Sequence, residues 1–312
     1  MPELPEVETV RSGLAPALTG ATITGVEILD ARSLKRHAAG PTDFVSSLVG
    51  SRIEAVARRG KFLWLPLTAP DGRFAHPVAL VGHLGMSGQM LLRDRGAEPD
   101  KLTRVIVHAT ESTGEQIEFR FVDQRLFGSL AIDDLVPTRD ALAGGFSDGV
   151  LAKSPLRDLI PRSAAHIARD PLDPQFDANA VIAVFGKKNS GIKRVLLDQN
   201  LLSGIGNIYA DEALWRARLH YDQPASSLSK AKAKELLEHV TVILGDAVKV
   251  GGTSFDEQYK NVNGESGYFA VSLNAYGMTD RACNRCGKPI KRDSWMNRGS
   301  HFCPHCQRLK IG

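Results

Sequence analysis

Two groups of residues in this 312-residue chain have the types and spacing for chemistry, one at each end. The chain starts Met1-Pro2-Glu3-Leu4-Pro5-Glu6. Trimming of Met1, usual before a proline, leaves Pro2 with a free secondary amine. A terminal amine titrates near ~8, against ~10.4 for a lysine, so a useful fraction is unprotonated at neutral pH. An unprotonated amine beside a carboxylate is a nucleophile next to an acid/base group, the pairing that Schiff-base catalysis needs. Glu3 supplies the carboxylate and Glu6 is a second candidate. The same residues also suit a plain helix start, with Pro5 in the first turn and Glu6 and Glu8 facing the positive end of the dipole.

At the other end, Cys283-x2-Cys286 and Cys303-x2-Cys306 are separated by sixteen residues. Two CxxC knuckles at that separation let a β-hairpin fold back and bring four thiolates to one tetrahedral ion, the pattern of a zinc ribbon. Spacing and the lack of another redox signature favour one structural Zn2+ over softer metals, with a pair of disulfides as the alternative. His301 and His305 are near enough to be ligands, but four cysteines already close the site. From Arg281 to Lys310 there are eight Lys and Arg against one acid, Asp293. Arg298, in Asn297-Arg298-Gly299 at the expected hairpin tip, suits phosphate binding, and a solvated basic surface is the bland reading.

Between the two ends lie weaker signals. Gly204-Ile205-Gly206-Asn207 is a glycine-rich turn feeding a helix, which offers unpaired N–H groups to an anion and puts Asn207 at the helix start. No Lys-Ser/Thr follows, which excludes a nucleotide P-loop, and an ordinary helical corner explains the turn as well. Arg58-Arg59-Gly60-Lys61 falls at a strand bend. The loop at 83–88 carries an exposed-looking His83 and Met86, and Asp123-Gln124-Arg125-Leu126-Phe127-Gly128 is a second polar loop. Together they hold an apolar wedge, an aromatic and a guanidinium, the inventory of a protein that invades a duplex and fills the gap.

These residues need elements to position them. Val7, Val10, Leu14 and Leu18 have helical spacing over 6–19, with Pro16 expected to bend or end the helix early. Short β-type runs follow at 21–29, 52–67, 78–81, 89–92, 103–109, 116–122 and 129–132, as in a sandwich or barrel. A Pro- and Asp-rich stretch at 133–175 reads as a hinge, and 177–250 is helical, at 179–185, 193–198, 207–218 and 229–250. Hydrophobic content of 43%, 24% charged residues and a net charge of +4 are ordinary for a globular protein with at most a weak pull toward anions. There is no apolar run of membrane length and no signal-peptide pattern.

In order along the chain, the Pro2–Val10 start, the Arg-Arg-Gly-Lys ending at Lys61, the loop at 83–88, the 204–212 segment and the four-cysteine ribbon resemble the bacterial formamidopyrimidine-DNA glycosylases. The likeness spans the whole chain, and its PELPEVET start is closer to these enzymes than to endonuclease VIII. The resemblance implies an α+β multidomain protein: an N-terminal β-sandwich catalytic domain at 1–136, a helical helix-two-turn-helix DNA-binding domain at 137–262, and a recognition loop with a zinc finger at 263–312. DNA would lie between the first two. It implies a bifunctional glycosylase/AP lyase for oxidised purines such as 8-oxoguanine and formamidopyrimidines, acting on damaged double-stranded DNA in base excision repair. Such an enzyme is a cytoplasmic, nucleoid-associated monomer with no nucleotide cofactor. Pro2 would attack C1′ and Glu3 give acid/base help; Lys61, His83, Asn207 and Arg298 would hold phosphates; Met86, Arg125 and Phe127 would fill the space the base leaves; Tyr268 would lie in the loop that closes over it. One departure is Leu126, where the family pattern DPRRFG has a second arginine, which puts a backbone contact in doubt. The alternatives are an endonuclease VIII-like enzyme for oxidised pyrimidines and a non-catalytic zinc-ribbon nucleic-acid binder.

Overall fold

The computed structural model describes residues 2–252 and 273–310. The chain divides into two compact units. The first holds Pro2 and Glu6–His166; the second holds Glu3–Pro5, Ile167–Gly252 and the C-terminal part to Lys310.

In the first unit, helix α1 (Leu4–Leu18) buries Val7, Val10, Leu14 and Leu18. Pro16 does not end it, because in the last turn a proline forfeits only one ladder hydrogen bond. Strand β1 (Thr22–Ile28) and helix α2 (Gly40–Leu48) follow, the helix packing Phe44 and Leu48 into the core. No helix was expected between 30 and 51. The expected single run at 52–67 is three strands: β2 (Arg52–Ile53), β3 (Ala57–Arg59) and β4 (Phe62–Thr68). Gly60 breaks it with a φ of 55°, at the first central position of a two-residue turn that pairs Arg59 with Phe62. Then come β5 (Val78–His83), β6 (Gly88–Asp94), β7 (Thr103–Thr110), β8 (Gln116–Asp123) and β9 (Ser129–Pro137). A last short strand, β10 (Leu159–Pro161), adds to the edge of β9.

The hydrogen-bonded order is β10-β9-β5-β4-β2-β1-β7-β8-β6, with β3 on β4. Inward residues of both halves, Leu63, Leu80 and Leu130 on one side and Ile23, Val107 and Phe119 on the other, meet in a single core with α1. That is a sandwich joined along one edge by the two-residue β2. The stretch read as a hinge instead packs Leu151, Ile160 and Ala164 on the outer face of the sheet, against Trp64 and Val81, so the first unit continues past residue 136.

The second unit is helical: α3 (Ala178–Phe185), α4 (Ile192–Leu196), α5 (Asn207–Arg216) and α6 (Lys230–Lys249). Ser229 caps α6 by accepting from Lys232 N, and Leu236, Val240, Ile243, Leu244 and Ala247 form its buried stripe. The hairpin of β11 (Lys291–Trp295) and β12 (Arg298–Phe302) completes it. No helix among the described residues is long and apolar enough to cross a membrane.

Candidate active site and metal centre

The N-terminal residues are anchored by backbone. Leu4 N donates to Gly204 O at 2.9 Å, and the Leu4 side chain is fully buried in the core of the second unit. Glu3, 3% exposed, accepts from Gly206 N at 2.6 Å and Ile208 N at 3.0 Å. The anion at the start of α5 is therefore this chain's own carboxylate, set where free N–H groups and the helix dipole favour negative charge. Both glycines are required there. A Cβ on Gly206 would lie 2.2 Å from Glu3 Cδ, and one on Gly204, whose φ is +88°, 2.6 Å from Leu4 Cδ1. Pro2 is buried ahead of α1. The plain helix-start reading also holds, since Pro5 and Glu6 lie in the first turn of α1.

Asn207 opens α5 as expected, and its Nδ2 donates to Gly299 O at 3.0 Å. The same carbonyl receives Lys193 Nζ at 3.1 Å. Lys193, fully buried, also donates to Ser300 Oγ at 2.7 Å and pairs with Asp211 at 2.6 Å. Burial pulls its ammonium below the usual lysine value, and Asp211 opposes that pull. Asp211 also takes His301 N at 2.9 Å. These bonds fasten the β11–β12 hairpin to α4 and α5. Arg298 is exposed at the first position of β12, just past a turn whose central residues Met296 and Asn297 both have positive φ, 44° and 59°. Glu212 accepts from Asn274, Ala275 and Tyr276 N, pinning that segment to α5, and burial raises its carboxyl above the usual range.

The four cysteine Sγ atoms lie within 4.8 Å of one another. A tetrahedral ion with Zn–S bonds of ~2.3 Å spaces its sulfurs about 3.8 Å apart, so the set fits one zinc. No disulfide forms among them. Trp215 Nε1 on α5 donates to Cys283 Sγ at 3.4 Å, an outer hydrogen bond of the kind that orients a metal-bound thiolate. His301 and His305 are not in the set; His301 pairs with Asp211. The zinc is structural.

In the first unit, Lys61 is the second central residue of the Gly60-Lys61 turn, half-exposed. His83 ends β5 and is half-buried, less exposed than its loop setting suggested. Burial, with the nearby Arg36 and Lys35 charges, pushes it down to about 4. Its Nδ1 accepts from Gly85 N at 3.1 Å, which leaves the proton of the neutral ring on Nε2. The loops after β5 and after β8 run side by side. Asp123, fully buried, accepts from Ser87 Oγ at 2.6 Å, Arg125 N at 3.1 Å and Gly128 N at 2.7 Å. Met86 and Phe127 stand out from these loops at 37% and 47% exposure, and the Arg125 guanidinium lies 4.9 Å from the Phe127 ring centroid. Leu126, at a φ of 55°, offers its carbonyl to Lys35 Nζ, so a cation stands here although residue 126 is apolar.

Met1 and Tyr268 lie outside the described residues. Sequence reasoning missed Asp123, Lys193 and Asp211, because burial of a charge has no sequence signature. The Gly204-x-Gly206 spacing did signal an anion site, without saying that Glu3 fills it.

The chain matches the formamidopyrimidine-DNA glycosylase N-terminal domain over residues 1–130, the H2TH domain of the same protein over 167–258, and a zinc finger found in FPG and IleRS over 282–309. A formamidopyrimidine-DNA glycosylase of Leifsonia xyli subsp. xyli is 54% identical over 99% of this chain and 100% of its own length. One of Salinispora arenicola is 50% identical over 98% and 96%. Among solved structures, Lactococcus lactis Fpg in complex with abasic-site DNA aligns at a TM-score of 0.77 and 29% identity, covering 98% of this chain and 99% of that one. The wild-type enzyme of the same organism with N7-benzyl-Fapy-dG DNA aligns at 0.77 and 29%, over 98% and 100%.

Proposed function

The chain belongs to the formamidopyrimidine-DNA glycosylase family and is a DNA glycosylase of base excision repair, and we propose that Pro2 is its nucleophile and Glu3 its acid/base group. The substrate is duplex DNA carrying an oxidised purine, 8-oxoguanine or a formamidopyrimidine. The enzyme acts as a cytoplasmic monomer at the nucleoid.

The observation that carries the residue assignment is the Glu3 carboxylate, held by Gly206 N and Ile208 N one residue from the Pro2 amine. A carboxylate fixed by two backbone donors keeps one orientation through a proton transfer, which general acid–base catalysis requires. The Pro2 nitrogen bonds to C1′ of the damaged nucleotide while the glycosidic bond breaks and its electrons leave with the base. Ring opening of the sugar, with a proton delivered to its ring oxygen, gives an iminium. The iminium acidifies the C2′ proton, so β- and then δ-elimination expel the two flanking phosphates.

The base must leave the stack first, at a cost of a few kcal/mol. Met86, Arg125 and Phe127 offset that cost by filling the vacated space, Arg125 facing the orphaned cytosine. Lys61, His83, Asn207 and Arg298 hold the phosphates of the extruded nucleotide, and Tyr268 belongs to the loop that covers the base. The zinc holds the ribbon in shape and takes no part in the chemistry.

Borohydride trapping on a duplex with 8-oxoguanine opposite cytosine tests this. The expected product is one covalent protein–DNA adduct, mapped by mass spectrometry to Pro2. Binding without an adduct, from protein whose N-terminus is shown to be Pro2, refutes the assignment.

A further inference from the structure

The buried charges behind α1 have no part in the chemistry described so far. Glu8, 6% exposed, receives two guanidiniums: Arg11 Nε at 2.9 Å on Oε1 and Arg58 Nε at 2.7 Å on Oε2. Arg58, on β3 and 1% exposed, also donates from Nη1 to Gly60 O at 3.2 Å, the carbonyl that leads into Lys61. Phe146 lies against both arginines, its ring centroid 5.1 Å from Arg11 Cζ and 6.0 Å from Arg58 Cζ. Its backbone exchanges two hydrogen bonds with Arg58, at 2.7 and 2.9 Å. Asp148 takes Arg11 Nη2 at 2.6 Å, and Ala143 O takes Arg59 Nη2 at 3.2 Å. There is no slack: a Cβ on Gly145 would sit 2.3 Å from Trp64 and 2.6 Å from Arg58 O.

Stability alone does not call for such a cluster. Desolvating each ion costs several kcal/mol, and a well-packed apolar trio of the same volume is often as stable or more so. What the ionic version adds is direction. Glu8 sits on the helix that leads back to Pro2, and Arg58 reaches forward to the turn that carries Lys61. We infer that Glu8 and Arg58 are positioning residues: they hold the Lys61 turn in a fixed register on the helix behind Pro2, so that a phosphate bound at Lys61 presents its sugar to the Pro2 amine. Phe146 and Asp148 close the cluster from the far side.

This inference rests on the glycosylase reading and on Lys61 as a phosphate-holding lysine. A placement error of about 1 Å costs on the order of 100-fold in rate, whereas a cluster that merely stabilises the fold leaves the bound rate alone. The test is a double-mutant cycle read by single-turnover excision and Schiff-base trapping at saturating 8-oxoguanine duplex. Arg58→Met and the isosteric Glu8→Gln are each combined with Lys61→Ala and, as a control, with Arg298→Ala. Glu8→Gln carries the test if Arg58→Met fails to fold. The single-turnover rate is expected to fall by roughly 10- to 100-fold with DNA still bound. Lys61→Ala then adds much less to that loss than it costs the parent, while Arg298→Ala multiplies in full. A rate within about twofold of the parent alongside a lowered melting temperature overturns the inference, as does a full multiplicative effect of Lys61→Ala. Absence of an adduct from the parent enzyme overturns the glycosylase reading as well, so the two failures are told apart.

Discussion

Glu3 and His83 show how much a single side chain's surroundings decide. Glu3 has room only because residue 206 lacks a Cβ, since one there would overlap the carboxyl carbon at 2.2 Å. Gly206→Ala therefore displaces the carboxylate from its two N–H donors without removing any side chain proposed to hold phosphate. The expected outcome is a fall of about 100-fold in single-turnover excision with DNA affinity little changed. Equal losses in both would mean that the start of α5 has unravelled and that Glu3 has no separate part. His83 is shaped by charge and burial. Its folded-state value of about 4 lies below the ordinary 6.5, so the unfolded chain takes up a proton first as pH falls. The stability that His83 contributes is full above about 6.5 and is lost progressively down to about 4. Denaturant midpoints of His83→Gln should accordingly decline less than the parent's across that window, and parallel curves would remove the argument. At neutral pH the ring is an uncharged Nε2–H donor, so the phosphate contact proposed for it would be unlike that of an arginine.

The β11–β12 hairpin depends on interactions from both of its ends. At its tip, Met296 and Asn297 take positive φ so that Arg298 follows a two-residue turn, and Gly299 O is gripped by Asn207 and Lys193. At its base, four cysteines are gathered in a set that fits one zinc, and Cys283 accepts from Trp215. A closed tetrathiolate supplies folding free energy to a module with too small a core of its own. Chelation of the zinc should release the hairpin, shift Trp215 emission, and make the log–log salt slope of DNA binding shallower by about 0.9, one phosphate contact. Arg298→Ala in zinc-loaded protein should give the same slope change without the fluorescence change. If chelated protein keeps the parental slope, Arg298 does not contact phosphate. The ribbon was legible because Cys spacing is itself the constraint, and the helical unit because a stripe such as Leu236, Val240, Ile243 and Leu244 leaves one reading. The β region was legible in its strands but not in its breaks. Gly60 splits an unbroken apolar run by turn geometry, and α2 grows from a stretch with little periodicity. The segment at 143–148 lies in the stretch read as a hinge, and its order comes from partners distant in sequence: Arg11 on α1, Arg58 and Arg59 on β3, and Arg157.

At the scale of the whole molecule, the division of the chain falls inside its first helix. Residues 3–5 belong to the second unit and residue 6 onward to the first, so the boundary between units runs through α1, close in sequence to the proposed nucleophile. No periodicity in the sequence could have announced this, because Leu4 looks like one more apolar residue of an amphipathic helix. Its side chain instead lies in the core of the helical unit with Ile205, Tyr209 and Ala210, while Val7 and Val10, only a turn further along, belong to the sandwich core. On the proposed assignment the PELPE start has two tasks, to carry the amine and to seat it. Leu4→Ala removes a fully buried side chain, and a cavity of that kind costs roughly 2–5 kcal/mol. The loss should fall on the unfolding transition of the helical unit, followed by α-helical ellipticity, and not on that of the sandwich. It should also slow Pro2 adduct formation more than it weakens DNA binding, because the side chains proposed to hold phosphate keep their own anchors. Val10→Ala makes a cavity of the same kind on the same helix but in the other core, and should do the reverse in the thermal scan. If both variants shift the same transition by the same amount, the terminus is packed as one piece and its seating in the helical unit is wrong.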